Sequence, residues 1–293
     1  SGHIAMQPFS HHTPPDLETA LQLLSDLGPR AVVLAGGTDL LLKLREGTLQ
    51  PENVVSLRQV SELSGTREDK DGLRIGATTP LREIIRSPLL RRQHPCLVHA
   101  ASLIGSVQVR SLATIGGNLC NAAPSADMAP PLLALDAEAL LVSAKGERQL
   151  PLQDFFRGPG EDALQAGELL REIILPPPEG ETIYLKHSQR AFMDIAMVGV
   201  ALRLHTNGKT VVAARVALGA VAPTPLRATT AEQELEGQTP SEDRFTRAAA
   251  LAAEACTPID DVRAPAWYRR RIVEVLTRRG LTALWQSSQQ GTG

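Results

Sequence analysis

Cysteine is scarce: Cys96, Cys120 and Cys256 are the only three among 293 residues, odd in number and widely spaced, which argues against a disulfide framework and against zinc. An all-cysteine iron–sulfur cluster needs four thiolates, so any such cluster must belong to another chain. Excess basic charge is also missing. The formal net charge is −2, and without a positive field nucleic-acid binding is disfavoured. No apolar run approaches the roughly 20 residues of a membrane span, and the N-terminus lacks a signal-peptide pattern; a cytoplasmic protein with no membrane span is expected. Neither a Walker ending nor three spaced dinucleotide-binding glycines occur, so ATP hydrolysis and a Rossmann site lose support. No Ser-His-Asp, Cys-His or paired-carboxylate constellation stands out, and no catalytic side chain or metal site is assigned. The adjacent His11 and His12 read as solvated.

What is present is the composition of an ordinary soluble globular chain, 43% hydrophobic and 21% charged, long enough for two or three sub-domains and for burying a large cofactor. Ser1 to Ala5 read as a vector scar ahead of a start at Met6. Thr13 and Pro14 read as the N-cap and first position of a helix carrying Leu17, Ala20, Leu21, Leu24 and Leu27, stopped at Gly28-Pro29. Strands are expected at Ala31 to Leu34, Asn53 to Leu57, Leu73 to Ala77 and Ala139 to Ser143. Helices are expected around Leu81 to Leu89, from Cys96 to Val107, and from Pro130 to Leu135. Pro176-Pro177-Pro178 cannot continue a helix and marks a domain boundary. Beyond it, Val198 to His205 and Thr210 to Leu218 predict a β-hairpin whose Asn207-Gly208 turn supplies the positive φ angles of type I′. Helices over Thr230 to Leu235, Glu242 to Ala255 and Trp267 to Leu284 complete a small antiparallel sheet with helices on one face. The Arg269-Arg270-Arg271 run falls on the last of these and is expected to face a partner or solvent.

Two glycine pairs carry the chemistry. Ala35-Gly36-Gly37-Thr38-Asp39-Leu40 follows a strand end, and Ala113-Thr114-Ile115-Gly116-Gly117-Asn118-Leu119 forms a second loop. A Gly-Gly pair lets amides point into one concavity and lets a diphosphate approach with no Cβ in the way. One pair alone is more simply a well-packed turn; two, each flanked by Thr and by Asp or Asn, point to a phosphate-bearing ligand. The expectation is that main-chain nitrogens of both pairs converge on one pyrophosphate, without help from lysine.

The segments AGGTDLLLKLREG and ATIGGNLCNAAPSADMAPPLLALDA, followed by YLKHSQRAFMDIAMVGVAL and WYRRRIVEVL, resemble the FAD-binding medium subunits of molybdenum hydroxylases. Relatives include xanthine dehydrogenase, carbon monoxide dehydrogenase and 4-hydroxybenzoyl-CoA reductase. The likeness covers almost the whole chain and implies an α+β fold. A two-lobed FAD-binding domain of the PCMH type would span residues 6–178, with lobes of about 6–60 and 61–178, followed by a C-terminal α+β domain of the carbon monoxide dehydrogenase flavoprotein type over 181–286. Carried over by position, Val33, Leu34, Ala35, Gly36, Gly37, Thr38, Asp39 and Leu40 would form the first loop around the diphosphate of a non-covalent FAD. Thr114, Gly116, Gly117 and Asn118 would form the second. Asp127 would accept from a sugar or ribityl hydroxyl. Ile104 takes a place where relatives can carry an aromatic, Leu170 would pack near the isoalloxazine, and Lys186 would stabilise negative charge on the reduced flavin.

Plainer roles stand beside these. Asp39 and Asp127 could be helix N-caps, Lys186 a solvated strand lysine, Leu170 a core residue, and Arg190 with Asp194 an ordinary ion pair. The resemblance further implies a large partner subunit with the molybdenum cofactor, a small partner subunit with [2Fe-2S] clusters, and an external electron acceptor that could be NAD, quinone, ferredoxin or oxygen. The cysteine-rich insertion of 4-hydroxybenzoyl-CoA reductase is missing after the second loop. Rival readings are a flavin-binding or assembly protein with no redox step, and an independent oxidoreductase related to cell-wall precursor reductases.

Overall fold

The computed structural model describes residues 8–189, 194–261 and 264–290. The presumed scar, Met6, and the Arg190 half of the expected ion pair lie outside them. Among the described residues no helix is long and apolar enough to cross a membrane.

The first lobe runs β1 (Ser10–His12), α1 (Leu17–Leu27), β2 (Ala31–Leu34), α2 (Leu40–Arg45) and β3 (Asn53–Ser56). Its strands form a parallel sheet in the order β1-β3-β2. The N-cap of α1 is Asp16, whose carboxylate accepts from Thr19 N at 2.8 Å, rather than the expected Thr13; the carboxylate satisfies an amide that no backbone partner reaches. Ala20, Leu21 and Leu24 pack on Val55, Leu57, Val60 and Leu63, and also on Val142 and Leu169 of the second lobe. His11 is exposed on β1, while His12 Nε2 lies 2.9 Å from Asn53 Oδ1.

The second lobe contains β4 (Thr66–Asp69), β5 (Gly72–Gly76), α3 (Leu81–Arg86), α4 (Pro88–Gln93), α5 (Pro95–Ser102), α6 (Val107–Leu112), α7 (Ile115–Cys120) and α8 (Ala129–Ala134). It continues through β6 (Glu138–Ser143), β7 (Gly146–Pro151), β8 (Phe156–Gly158), β9 (Glu161–Asp162) and β10 (Leu169–Leu175). An antiparallel sheet of order β4-β5-β10-β6-β7 presents Leu73, Ile75, Leu141 and Ile173 to buried residues of the helices. Two expected helices are each split. Ser87 caps a new helix by accepting from Leu90 N at 3.3 Å ahead of Pro88. The segment from Cys96 to Val107 breaks after Ser102, where Gly105 takes a φ of +50° and Ser106 caps α6. The strand β10 had no expected counterpart: the adjacent charged pair Arg171-Glu172 breaks its apolar residues into two short pieces with no alternation, although Glu172 is buried with them.

The C-terminal domain follows as β11 (Glu181–His187), β12 (Val198–Thr206), β13 (Val211–Gly219), β14 (Leu226–Arg227), α9 (Thr229–Leu235), α10 (Glu242–Glu254) and α11 (Ala266–Gln290). The hairpin forms as expected, but not through type I′ geometry. Gly208 alone of the Asn-Gly pair takes a positive φ, and Asn207 Oδ1 accepts from Lys209 N and Thr210 N. Alternation along the sheet gives it two apolar faces: Val200, Leu202, Val216 and Leu218 meet Phe245, Val273 and Leu281, while Tyr184, Ala201 and Ala217 join the core of the second lobe. Arg269 is not on the surface. It is buried, with Nη1 donating to Ala220 O at 3.0 Å and Nη2 to Asp261 at 2.7 Å; Arg270, which donates to Cys256 O, and Arg271 are exposed and fit the surface reading.

The domains are locked by charge as well as by apolar packing. Asp136, just beyond α8, receives Arg203, Arg215 at 2.9 Å and Arg227 at 2.8 Å, one arginine from each of β12, β13 and β14. Arg227 also pairs with Glu232 at 2.6 Å and Arg215 with Glu236 at 3.0 Å. Burial alone would raise the Asp136 carboxyl, but the hydrogen bond from Arg215 and the charges of all three arginines outweigh it and hold it below 3.8. Asp136→Asn keeps the shape at a φ of +52° but takes the carboxylate from buried Arg203, while Arg215 and Arg227 keep Glu236 and Glu232, so it is expected to cost about 3 kcal/mol in urea unfolding at neutral pH. Because the folded carboxyl titrates below its unfolded value, that difference should be full above pH 3.8 and shrink as the pH falls further; a difference independent of pH would contradict the assignment.

Candidate cofactor-binding site

A cavity of about 530 Å³ opens between the lobes. Val33 and residues 35–40 form one wall, and Thr114, Gly116, Gly117 and Asn118 form the facing one. Ala77 and Thr78 lie at its base, with Ile104 and Val109 at its side and Leu164, Leu169 and Leu170 completing the lining. The fold thus brings both glycine segments onto one cavity, along with Ile104 and Leu170. Leu34, Asp127 and Lys186 are not in the lining.

The two segments are built differently. Among the described residues, the main-chain N–H groups of Gly36, Gly37, Thr38, Asp39 and Leu40 find no acceptor within the protein; the first intrahelical bond is Leu41 N to Gly37 O at 3.1 Å. Asp39 stands at the N-cap position of α2 but makes no capping bond, so it does not compete for those amides. The second segment is not a loop: Gly116 and Gly117 fall inside α7, capped by Thr114. Its amides are already engaged, Gly116 N with Ala77 O at 2.8 Å and Gly117 N with Thr114 Oγ1 at 3.0 Å. The expectation that nitrogens of both pairs converge on one pyrophosphate therefore fails for the second segment, whose amides are already spent, while those of the first stay without an acceptor beside the cavity.

What the second segment offers is space and side chains. A Cβ on Gly117 would meet Thr114 Oγ1 alone, at a tight 3.0 Å, and no backbone atom. Since Thr114 Oγ1 accepts from Gly117 N, its own O–H remains free to donate. Asn118 Oδ1 accepts from Met128 N at 3.3 Å, leaving its amide NH₂ available. By contrast, a Cβ on Gly36 would overlap the Leu112 carbonyl oxygen, and one on Gly116 would lie 2.6 Å from Ala77 O; these two glycines are required by backbone packing.

Asp127 and Lys186 meet behind the cavity. Lys186 Nζ donates to Asp127 Oδ2 at 2.9 Å and to Leu103 O at 3.3 Å, while Tyr184 O–H donates to Asp127 Oδ1 at 2.7 Å. All three residues are mostly buried. Burial raises the Asp127 carboxyl, with the charge of Lys186 and hydrogen bonds from Lys186 and Tyr184 opposing it, and burial beside Asp127 pushes the Tyr184 phenol well up. Asp127 is therefore not a helix N-cap, each of its oxygens accepts one bond within the protein and keeps a further lone pair, and Lys186 is not a solvated lysine. Together they form a clamp between the domains that grips the residue next to Ile104. Arg110 Nη1 holds the same loop from the other side through Ile104 O at 3.0 Å and Gly105 O at 2.8 Å.

Sequence reasoning missed Lys43, Cys120, Asn121, Leu164, Glu168 and Leu169 in the lining. The last three reach the cavity only through the return of β10 across the sheet, which leaves no local signal. Glu168 is neutralised by Arg148 through two bonds of 2.7 Å. Burial pushes the Cys120 thiol far up, so it stays protonated.

Unpaired amides and hydroxyl and amide donors in the middle, with aliphatic surface beside them, suit an extended cofactor that has an anionic centre and planar ends. Fold and cavity together define a nucleotide-cofactor-binding domain joined to a sheet-and-helix domain. Residues 7–178 match the FAD binding domain in molybdopterin dehydrogenase, and residues 183–284 match the CO dehydrogenase flavoprotein C-terminal domain. The chain belongs to this family of molybdopterin dehydrogenase FAD-binding proteins. It is 33% identical over 274 residues to a xanthine dehydrogenase FAD-binding subunit of Escherichia coli, covering 92% of this chain and 94% of the relative. It is 33% identical over 278 residues to the carbon monoxide dehydrogenase medium chain of Hydrogenophaga pseudoflava, covering 94% and 97%. A solved carbon monoxide dehydrogenase from Hydrogenophaga pseudoflava superposes with a TM-score of 0.93 at 34% identity, over 97% of this chain and 99% of that one. Quinoline 2-oxidoreductase from Pseudomonas putida 86 gives 0.91 at 30% identity, over 97% and 99%.

Packing and cofactor roles of the glycines separate by mutation. Gly36→Ala is expected to cost about 1–3 kcal/mol in urea unfolding, because the backbone of Leu112 must move. Gly117→Ala should stay within about 0.5 kcal/mol of wild type. Equal losses would show that the two glycines do the same job.

Proposed function

We propose that this chain is the FAD-carrying electron-transfer subunit of a heteromeric, cytoplasmic molybdenum hydroxylase or dehydrogenase. A large partner subunit would hold the molybdenum cofactor, a small one the [2Fe-2S] clusters, and electrons would leave to an external acceptor. The observation that supports this most directly is the cavity between the lobes, with five amides unpaired among the described residues on one wall and Gly117, which has no side chain, on the other. Bound without a covalent link, FAD supplies one- and two-electron exchange through its isoalloxazine.

The chain itself supplies binding and position. The amides of residues 36–40 would hold the diphosphate, the Thr114 hydroxyl and Asn118 amide would donate from the facing wall, and Gly117 leaves the diphosphate room. Ile104 and Leu170 would exclude water from the planar ends. Leu34 would serve from the core by supporting the first segment, accepting Leu57 N at 2.8 Å through its carbonyl. Lys186, fixed by Asp127, would set the position of Ile104 through Leu103.

Purified chain is expected to show a flavin spectrum and to release stoichiometric FAD. Gly117→Val should lose FAD retention while its circular dichroism stays that of the wild type; unchanged flavin content would refute the placement of the diphosphate. In the complex reassembled with both partner subunits, substrate added at the molybdenum subunit should bleach the flavin absorbance. Flavin that stays oxidised while the clusters are reduced would leave only a binding or assembly role.

A further inference from the structure

We propose that Lys43 is a diphosphate-binding residue of the cavity, held on Asn121 here and placed to transfer its ammonium to the cofactor; the proposal rests on the FAD reading of the site. Lys43 lies on α2, one turn beyond Asp39 and the run of unpaired amides, with its own N–H bonded to Asp39 O at 3.2 Å. Its Nζ donates to Asn121 Oδ1 at 2.8 Å, and Asn121 is the C-cap of α7. One side chain thus spans from the first lobe to the second, and both residues line the cavity.

The charge pattern of the lining explains why a cation is needed there. Its charged side chains, among the described residues, are Asp39, Lys43 and Glu168. Glu168 is matched by Arg148, which leaves Asp39 to repel an incoming diphosphate. Amide dipoles carry only partial charge, whereas the ammonium carries a whole one. Asn121 offers Lys43 a neutral acceptor, and a phosphate oxygen would make the stronger, charge-assisted bond. Lysine acts as a mobile point charge on a flexible stem, so the exchange needs no backbone movement. The anchor of that stem is fixed: Lys43 O accepts from Thr48 N at 3.0 Å, Leu49 N at 3.3 Å and Thr48 Oγ1 at 3.1 Å. Amides without a lysine, the arrangement expected from the glycine pairs, would leave Asp39 unopposed.

The test uses the full chain stripped of flavin and titrated with FAD or with riboflavin, which lacks phosphate, at low and high salt, following flavin fluorescence. Lys43→Met keeps the stem and removes the charge. It should raise the Kd for FAD about 10- to 100-fold, flatten its salt dependence, and leave riboflavin binding unchanged, while Lys43→Arg should restore most of the FAD affinity. Wild-type FAD affinity and salt dependence in Lys43→Met would overturn the proposal. So would equal losses of FAD and riboflavin, which would assign Lys43 to the shape of the cavity. A wild-type chain that takes up no FAD would overturn the cofactor reading itself, a failure visible before any variant is made.

Discussion

The cavity depends on how closely two backbones approach at Gly36. There the turn after β2 lies directly on the Leu112 carbonyl, closer than any side chain allows. The contact joins lobes whose sheets are otherwise separate, and it places the unpaired amides of residues 36–40 opposite Thr114 and Gly117. Around it the second lobe is tied to itself in the same way, with Gly116 against Ala77 O and Thr114 bridged to Pro80. Two of the four glycines thus set distances between main chains. Gly37 adopts a φ of +83° that turns the chain, and Gly117 leaves room.

Function is spread over more of the chain than the lining suggests. Among the described residues the C-terminal domain contributes none to the cavity wall, yet Tyr184 and Lys186 reach through Asp127 and Leu103 to the loop that carries Ile104. That reach needs the reverse face of the C-terminal sheet to lie flat on the second lobe. Gly219 permits it, since a Cβ there would lie 2.7 Å from Pro130 Cγ, and the arginines around Asp136 hold it. Burying this much charge is stabilising only while every partner is present, so the clamp and the arginine cluster act as orienting devices more than as sources of stability.

The site was legible where chemistry is local. Gly-Gly between small polar residues announced a phosphate-sized concavity, and both pairs proved to share one. What the local pattern did not reveal was that α7 consumes its own amides: Thr114 supplies the cap and Ala77 the acceptor, and Ala77 is almost forty residues away. Periodicity located α1, α10 and α11, because each has one buried face and one wet one. It failed at β10, whose residues Leu169 to Leu175 are buried nearly throughout, and at α5 and α6, where apolar continuity hid the turn at Gly105. The Arg269 run misled for a related reason, since a buried arginine with carbonyl and carboxylate partners has the same local sequence as a solvated one.

By itself, the sequence determined the elements with a single apolar face, the stiff connection at Pro176 to Pro178, the lack of thiolates for a cluster, and the family, through the order of its motifs. These are properties of neighbouring residues or of counts. Tertiary structure alone decided which amides stay unpaired, that Asp127 pairs with Lys186, and that Lys43 reaches Asn121 across the cavity. Each of those depends on distances between segments far apart in the chain, set by backbone contacts that no local pattern encodes.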